Sequence, residues 1–185
     1  MGSSMRLFIG VWLSSGQREE VAALIRQFSR ERSGWKWTSP ENLHFTLRFL
    51  GEVAPAAVAP LGTRLQEVAR ATRPFVMRLG PAGVFPAAGP SRVLWFGLAE
   101  GVAELSGLAG RVEQVCRECG FGPADKPFRP HLTVARAKTD SPGAVPLTDH
   151  SWGAQTLVTG FSLIESQLRT GPVYRSLADL TFSSP

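Results

Sequence analysis

The chain is predicted to fold as a duplicated α+β unit. Three observations point there: short β-rich segments alternate with amphipathic helical ones, the second half replays the plan of the first, and one four-residue motif occurs once in each half on a predicted strand. Met1-Gly2-Ser3-Ser4 ahead of Met5 reads as an expression remnant, which leaves 5–182 as one folded domain. Arg6 to Leu13 is short, apolar and rich in β-formers, and Ser14-Ser15-Gly16 after it suits a strand feeding a helix. From Gln17 to about Arg32, Val21, Leu24, Ile25 and Phe28 recur at spacings of three and four and form one helical stripe. Trp35 to Asn42 reads as loop. His44 to Phe49 alternates strictly, with Phe45, Leu47 and Phe49 on one side and His44, Thr46 and Arg48 on the other. After Pro55, Val58, Leu61, Leu65 and Val68 carry a second helix to about Ala71.

The second half follows the same order. Phe75 to Leu79 and Val93 to Leu98 read as strands separated by Pro81 to Pro90, too rich in Gly and Pro for regular structure. A helix spans Val102 to Glu118, Pro123 to Pro130 is loop, and a strand runs from His131 to about Arg136. Asp140 to Trp152 is another loop. Thr156 to Arg169 and Val173 to Phe182 then form an antiparallel pair about Thr170-Gly171-Pro172.

Bulk composition narrows the class without choosing a function. Hydrophobic residues make up 43% and charged residues 19%, enough apolar side chain for a core and too little charge for a disordered chain. A net charge of +5 suits a polyanionic partner but is shared by many inert proteins. The two cysteines, Cys116 and Cys119, fall in a helical stretch with no second pair, so they read as ordinary helix residues and not as a redox or zinc motif. No apolar run approaches the about 20 residues that span a bilayer, and no signal core opens the chain, so a cytoplasmic protein without a membrane partner is expected.

The chemistry rests on the doublet His44-Phe45-Thr46-Leu47 and His131-Leu132-Thr133-Val134. A single His-x-Thr-x on a strand has a bland explanation, an edge histidine beside a β-favouring threonine. Two copies close to half a chain length apart suggest that each half contributes one to a shared cleft. Histidine and threonine two positions apart share a face, about 6.6 Å along the backbone. Histidine's ordinary pKa of about 6.5 lets one ring act as base and another as acid, the division that in-line displacement at phosphorus needs. The hydroxyls of Thr46 and Thr133 can donate to the non-bridging oxygens. This chemistry calls for no metal or other cofactor, and the competing metal-site reading has little to build on: the histidines are His44, His131 and His150 only, with no carboxylate cluster near either motif. His150, in a polar stretch, reads as a solvated loop residue and is left outside the site. Arg129, two residues before His131, and Arg48, on the His44 parity, are candidate contacts for phosphate or RNA backbone. Arg136 falls on the apolar parity and reads as structural. Trp12, Trp35, Trp37 and Phe128 lie in or near predicted loops, where an aromatic can stack on a base but more often packs a core.

With Pro40-Glu41-Asn42-Leu43 before the first motif, Phe49-Leu50-Gly51-Glu52 after it and Arg129-Pro130 before the second, the chain resembles the 2H phosphoesterase superfamily. More narrowly it resembles the bacterial and archaeal RNA 2′,3′-cyclic phosphodiesterases once called 2′-5′ RNA ligases. The resemblance runs from about Met5 to Phe182, with Glu165-Ser166-Gln167-Leu168, Gly171 and Tyr174 also matching. It implies a bilobal fold with two antiparallel sheets facing a central cleft and helices outside. It also implies hydrolysis of terminal 2′,3′-cyclic phosphates of RNA to 2′-phosphates, and in some members a reversible 2′-5′ joining; a monomer is expected. It makes His44 the proton donor to the departing 3′ oxygen, His131 the base that activates water, and Thr46 and Thr133 the holders of the phosphate. The chemistry alone is nearly symmetric and leaves donor and acceptor interchangeable. Two other functions stay open at this level: 2′-5′ joining as the main task, without an adenylation lysine motif, and a non-catalytic RNA-binding module.

Overall fold

The structure, a computed structural model, describes residues 4–30, 34–138, 150–168 and 171–183. Strand β1 (Met5–Trp12) is buried from Leu7 to Val11, the continuous apolar run of a strand covered on both faces. Helix α1 (Ser15–Ser29) starts at Ser14, whose hydroxyl accepts from the Gln17 amide at 3.2 Å, and it buries Val21, Ala22, Leu24 and Ile25. Trp35–Trp37, expected as loop, is instead a short strand, β2. A buried Trp35 anchors it, and it adds to the edge of a later strand. One 3₁₀ turn (Pro40–Asn42) leads into β3 (His44–Val53), and α2 (Pro55–Arg70) comes next with proline at its first turn.

Strand β4 (Phe75–Phe85) corrects the expectation that Pro81 to Pro90 lacks regular structure. Its ladder to β5 (Val93–Glu100) breaks register on either side of Leu79, the second break spanning Gly80-Pro81, and resumes at Ala82. The irregularity absorbs a proline that has no N–H to give a ladder. Gly80 is required there, because a Cβ would sit 2.7 Å from the Leu98 and Ala99 backbone. Helix α3 (Val102–Glu118) falls where the periodicity put it and buries Leu105, Leu108, Val112 and Val115. The chain then runs through β6 (Leu132–Ala137), β7 (Thr156–Val158), β8 (Gly160–Leu168) and β9 (Pro172–Thr181). The one strand expected from Thr156 is thus two, since β7 pairs with β4 while β8 pairs with β1 and β9. Residues 139–149, the core of the predicted loop from Asp140, and Arg169 and Thr170 lie outside the described residues.

Among the described residues every strand pairing is antiparallel, in the order β7-β4-β5-β6-β3-β1-β8-β9, with β2 on β6. The order is a near-palindrome of roles. The unit β1-α1-β3 on one side answers β5-α3-β6 on the other, and a single residue pair, Phe45 with Leu132, joins the two. The path also curls back on itself: β7 and β8, near its opposite ends, are separated by Thr159 alone. The Phe182 amide donates to the Thr159 carbonyl at 2.8 Å and the Ser14 amide to Thr156 Oγ1 at 2.9 Å across that seam. Helix α2 packs on α3 and β9, and α3 on β3, which covers one sheet face with Leu61, Leu65, Leu105, Leu108 and Val112. The motif residues occupy the other face. No helix among the described residues is long and apolar enough to cross a membrane.

Candidate active site

The shared pair sets the geometry. Phe45 and Leu132 are the residues between histidine and threonine in the two motifs, and both are fully buried. Extending that antiparallel register by one residue each way sets His44 across from Thr133 and Thr46 across from His131, all on the face opposite the helices. Each histidine is anchored in the same way. His44 Nδ1–H donates to the Asn42 carbonyl at 2.7 Å, and His131 Nδ1–H donates to the Arg129 carbonyl at 2.7 Å. These bonds fix the tautomer and leave Nε2 as the working nitrogen of each ring. His44 Nε2 faces the Thr46 hydroxyl at 3.0 Å.

Burial pushes the His44 imidazole down to about 4, against the pull of the Asn42 carbonyl, and the positive charges of His131 and Arg136 lower it further. The same influence shows that the second motif histidine is an electrostatic neighbour of the first. An aromatic wall surrounds His44: Phe8 at 4.7 Å between ring centroids, Tyr174 edge-on at 5.3 Å and Trp12 edge-on at 5.8 Å. Gly10 makes room for it, since a Cβ there would be 2.9 Å from the Phe45 carbonyl and 3.4 Å from the His44 ring. Beside His131 stands Phe85, edge-on at 5.3 Å and stacked on Trp95 at 4.9 Å. Arg129 is exposed, with its guanidinium 5.8 Å above the Phe85 ring, so it borders the His131 side.

Matching β-bulges correct two expectations about the arginines. Going from Ile9 to Gly10, the β3 partner steps from Arg48 to Thr46, so Leu47 is an extra residue. Going from Leu94 to Trp95, the β6 partner steps from Ala135 to Thr133, so Val134 is the extra one. The fourth residue of each motif is therefore a bulge, and a bulge reverses the parity of the residues beyond it. Arg48 leaves the His44 face. Its side chain is 11% exposed, its Nε lies 2.8 Å from Glu113 Oε2 on α3 and its Nη2 donates to the Gly122 carbonyl. It serves packing and ion pairing, not the cleft. Arg136 moves the opposite way: exposed, and close enough to weaken protonation of His44, it faces the motif histidines. Phe49 obeys the same rule and lies on the cleft face, 46% exposed, with the Arg6 guanidinium 5.0 Å from its ring centre. Tyr174 also belongs to this wall; burial raises its hydroxyl pKa, opposed by the Arg136 and Arg6 charges. His150 lies in irregular structure, as expected, with its side chain 31% exposed, and it packs edge-on against Trp152 at 4.4 Å and lies 3.5 Å from Glu20. Trp35 and Trp37 belong to packing, with Trp35 fully in the core and Trp37 stacked on Phe28 at 6.3 Å. Phe128 also packs against the core.

Known proteins share this fold and much of this sequence. An RNA 2′,3′-cyclic phosphodiesterase of Archaeoglobus fulgidus is 38% identical over 178 residues, covering 94% of this chain and 98% of the relative. One of Thermus thermophilus with the same name is 41% identical over 186 residues, covering 94% and 88%. The crystal structure of E. coli LigT complexed with 3′-AMP superposes with a TM-score of 0.83 at 26% identity, covering 97% of this chain and 99% of that one. Residues 11–95 and 97–174 match the family described as LigT like Phosphoesterase, and the chain belongs to that family.

Proposed function

We propose that the protein is an RNA 2′,3′-cyclic phosphodiesterase that opens a terminal cyclic phosphate to a 2′-phosphate, with His44 as acid and His131 as base. The observation that carries this is the matched pair of anchored rings: two histidines, each held through Nδ1 by a carbonyl two residues earlier, on either side of one shared residue pair. In-line displacement asks for that arrangement, a base beside the attacking oxygen and an acid beside the departing one. His131 Nε2 takes a proton from water as its oxygen attacks phosphorus. The bond from phosphorus to O3′ breaks, and His44 Nε2 gives its proton to that oxygen, leaving a 3′-hydroxyl and a 2′-phosphate. Thr46 and Thr133 donate to the non-bridging oxygens, and the guanidinium of Arg136, with Arg129 at the rim, offsets their negative charge.

His44 is neutral near pH 7 in the free protein, since its pKa is pushed down to about 4. An anionic phosphate beside it reverses the sign of the local field and favours the imidazolium, so the substrate itself arms the acid. Phe49, exposed on the cleft face, offers a surface for the terminal base. The activity for which the relatives are named and the nucleotide bound by E. coli LigT support the same substrate class. The reading also takes the protein as a cytoplasmic monomer, which sedimentation and cell fractionation check.

The test is turnover of a nucleoside 2′,3′-cyclic phosphate in the presence of a chelator, with the product identified. Wild type is expected to yield the 2′-phosphate, while His44→Ala and His131→Ala each lose at least about a hundredfold in rate. Equal turnover by all three proteins, or a 3′-phosphate product, refutes the assignment. Joined 2′-5′ products from cut RNA halves, in place of hydrolysis, favour the ligase reading.

A further inference from the structure

Past Trp12 the end of β1 and the seam between β7, β8 and β9 enclose a groove of about 270 Å³ that the chemistry above does not use. Its walls include Trp12, Ser14, Leu157, Thr159, Ser162 and Asp179, and its only charged group among the described residues is the Asp179 carboxylate. Trp12 is common to the groove and to the aromatic wall of His44, so one indole separates the two. That indole is fixed by a relay. Trp12 Nε1–H donates to Ser162 Oγ at 3.2 Å, and Ser162 Oγ–H donates to Asp179 Oδ1 at 2.6 Å. The Ser176 hydroxyl donates to the same Oδ1 at 2.6 Å, which leaves Oδ2 as an acceptor among the described contacts. The Ser162 and Ser176 hydroxyls hold the Asp179 carboxyl below its usual range, so it is an anion near neutrality.

An anionic groove without a cation among its described walls repels phosphate. Hydroxyls, a carboxylate acceptor and an indole suit instead a planar, uncharged ring bearing N–H donors. Substrate geometry says which ring can reach it. If O3′ departs beside His44, the terminal ribose stands on the His44 side, and the chain continues from its 5′ oxygen on that same side. We propose that the groove receives the base of the nucleotide preceding the cyclic phosphate, and that it favours guanine. Guanine's exposed edge offers two adjacent N–H donors, and Asp179 Oδ2, with both lone pairs left among the described contacts, can accept from them. The inference rests on the phosphodiesterase reading and adds to it a preference for RNA ends over mononucleotides.

The experiment compares kcat/KM for a nucleoside 2′,3′-cyclic phosphate with that for dinucleotides ending in the same cyclic phosphate, preceded by G, A, C or U. Dinucleotides should be turned over at least about fivefold more efficiently, with guanine first, the gain expected from stacking one base. Leu157 is 60% exposed on its strand, so Leu157→Trp can fill the groove without disturbing the core. This variant should erase the dinucleotide advantage and leave mononucleotide turnover unchanged. Asp179→Asn, which keeps an acceptor for Ser162, should abolish the preference for guanine alone. Dinucleotides no better than the mononucleotide, or an advantage that survives both substitutions, overturn the subsite while leaving the phosphodiesterase standing. A wild type inert on every substrate overturns both.

Discussion

As the proposed acid, His44 carries two obligations that pull against each other: it must be buried enough to be aimed and charged enough to donate a proton. Burial wins in the free protein, with a pKa pushed down to about 4 from an ordinary 6.5. The sign of the stability effect is set by that depression. A depressed histidine binds fewer protons folded than unfolded below its unfolded value, so the folded state is fully favoured above about pH 6.5 and loses that advantage as pH falls toward 4. Denaturant unfolding should show the wild type losing about 3 kcal/mol over this window beyond any loss in His44→Asn. Equal losses in both proteins contradict the buried-histidine account. NMR titration of His44 should also give a pKa near 4 in the free protein, moving upward when inorganic phosphate binds, as an acid armed by its substrate requires. At this scale the sequence was legible where a residue type implies a reaction. Paired histidines and threonines point to the acid–base work proposed above, whereas the carbonyls that hold the two histidines, from Asn42 and Arg129, carry no side-chain signature.

Strands and helices were read well where a period persists and poorly where it slips. Helix α3 matches its periodicity end to end, and β3 and β6 begin at or beside their histidines. The bulges at Leu47 and Val134 escaped because each extra residue is itself apolar and buried, so the alternation looks unbroken while the parity has reversed. The exchange of roles between the two arginines is the cost of missing them. It is also testable as a pair. Arg48→Ala should destabilise by about 2 kcal/mol, since it strands Glu113 on α3, and should leave kcat within about twofold. Arg136→Ala should leave the melting temperature nearly unchanged and lower kcat by at least about a hundredfold. Thermal melts and steady-state rates on the two variants decide it, and the reverse pattern would restore the strict alternation. Strand β4 teaches the same lesson, for Gly80-Pro81 interrupts its ladder without ending it.

The molecule as a whole is two similar halves whose motif strands, β3 and β6, meet at one ladder pair, and the spacing of the motifs points to that duplication. How the two motif strands meet is not legible in the sequence, because one ladder pair between Phe45 and Leu132 leaves no pattern in either segment. That contact gives a molecule-wide prediction. Phe45 is fully buried, and Phe45→Leu should cost about 1–2 kcal/mol in stability. It should lower kcat more than it raises KM, since it misaligns two reacting groups without removing either. A change confined to KM would mean that the joint sets affinity and not alignment. The seam at Thr159 bears on the same question from the far side. Tied at both places, the sheet behaves as a hoop and not as a pair of jaws. In the proposed function an RNA end then slides in along an open rim, and turnover should be insensitive to solvent viscosity, because no gate has to swing before the bond is cut.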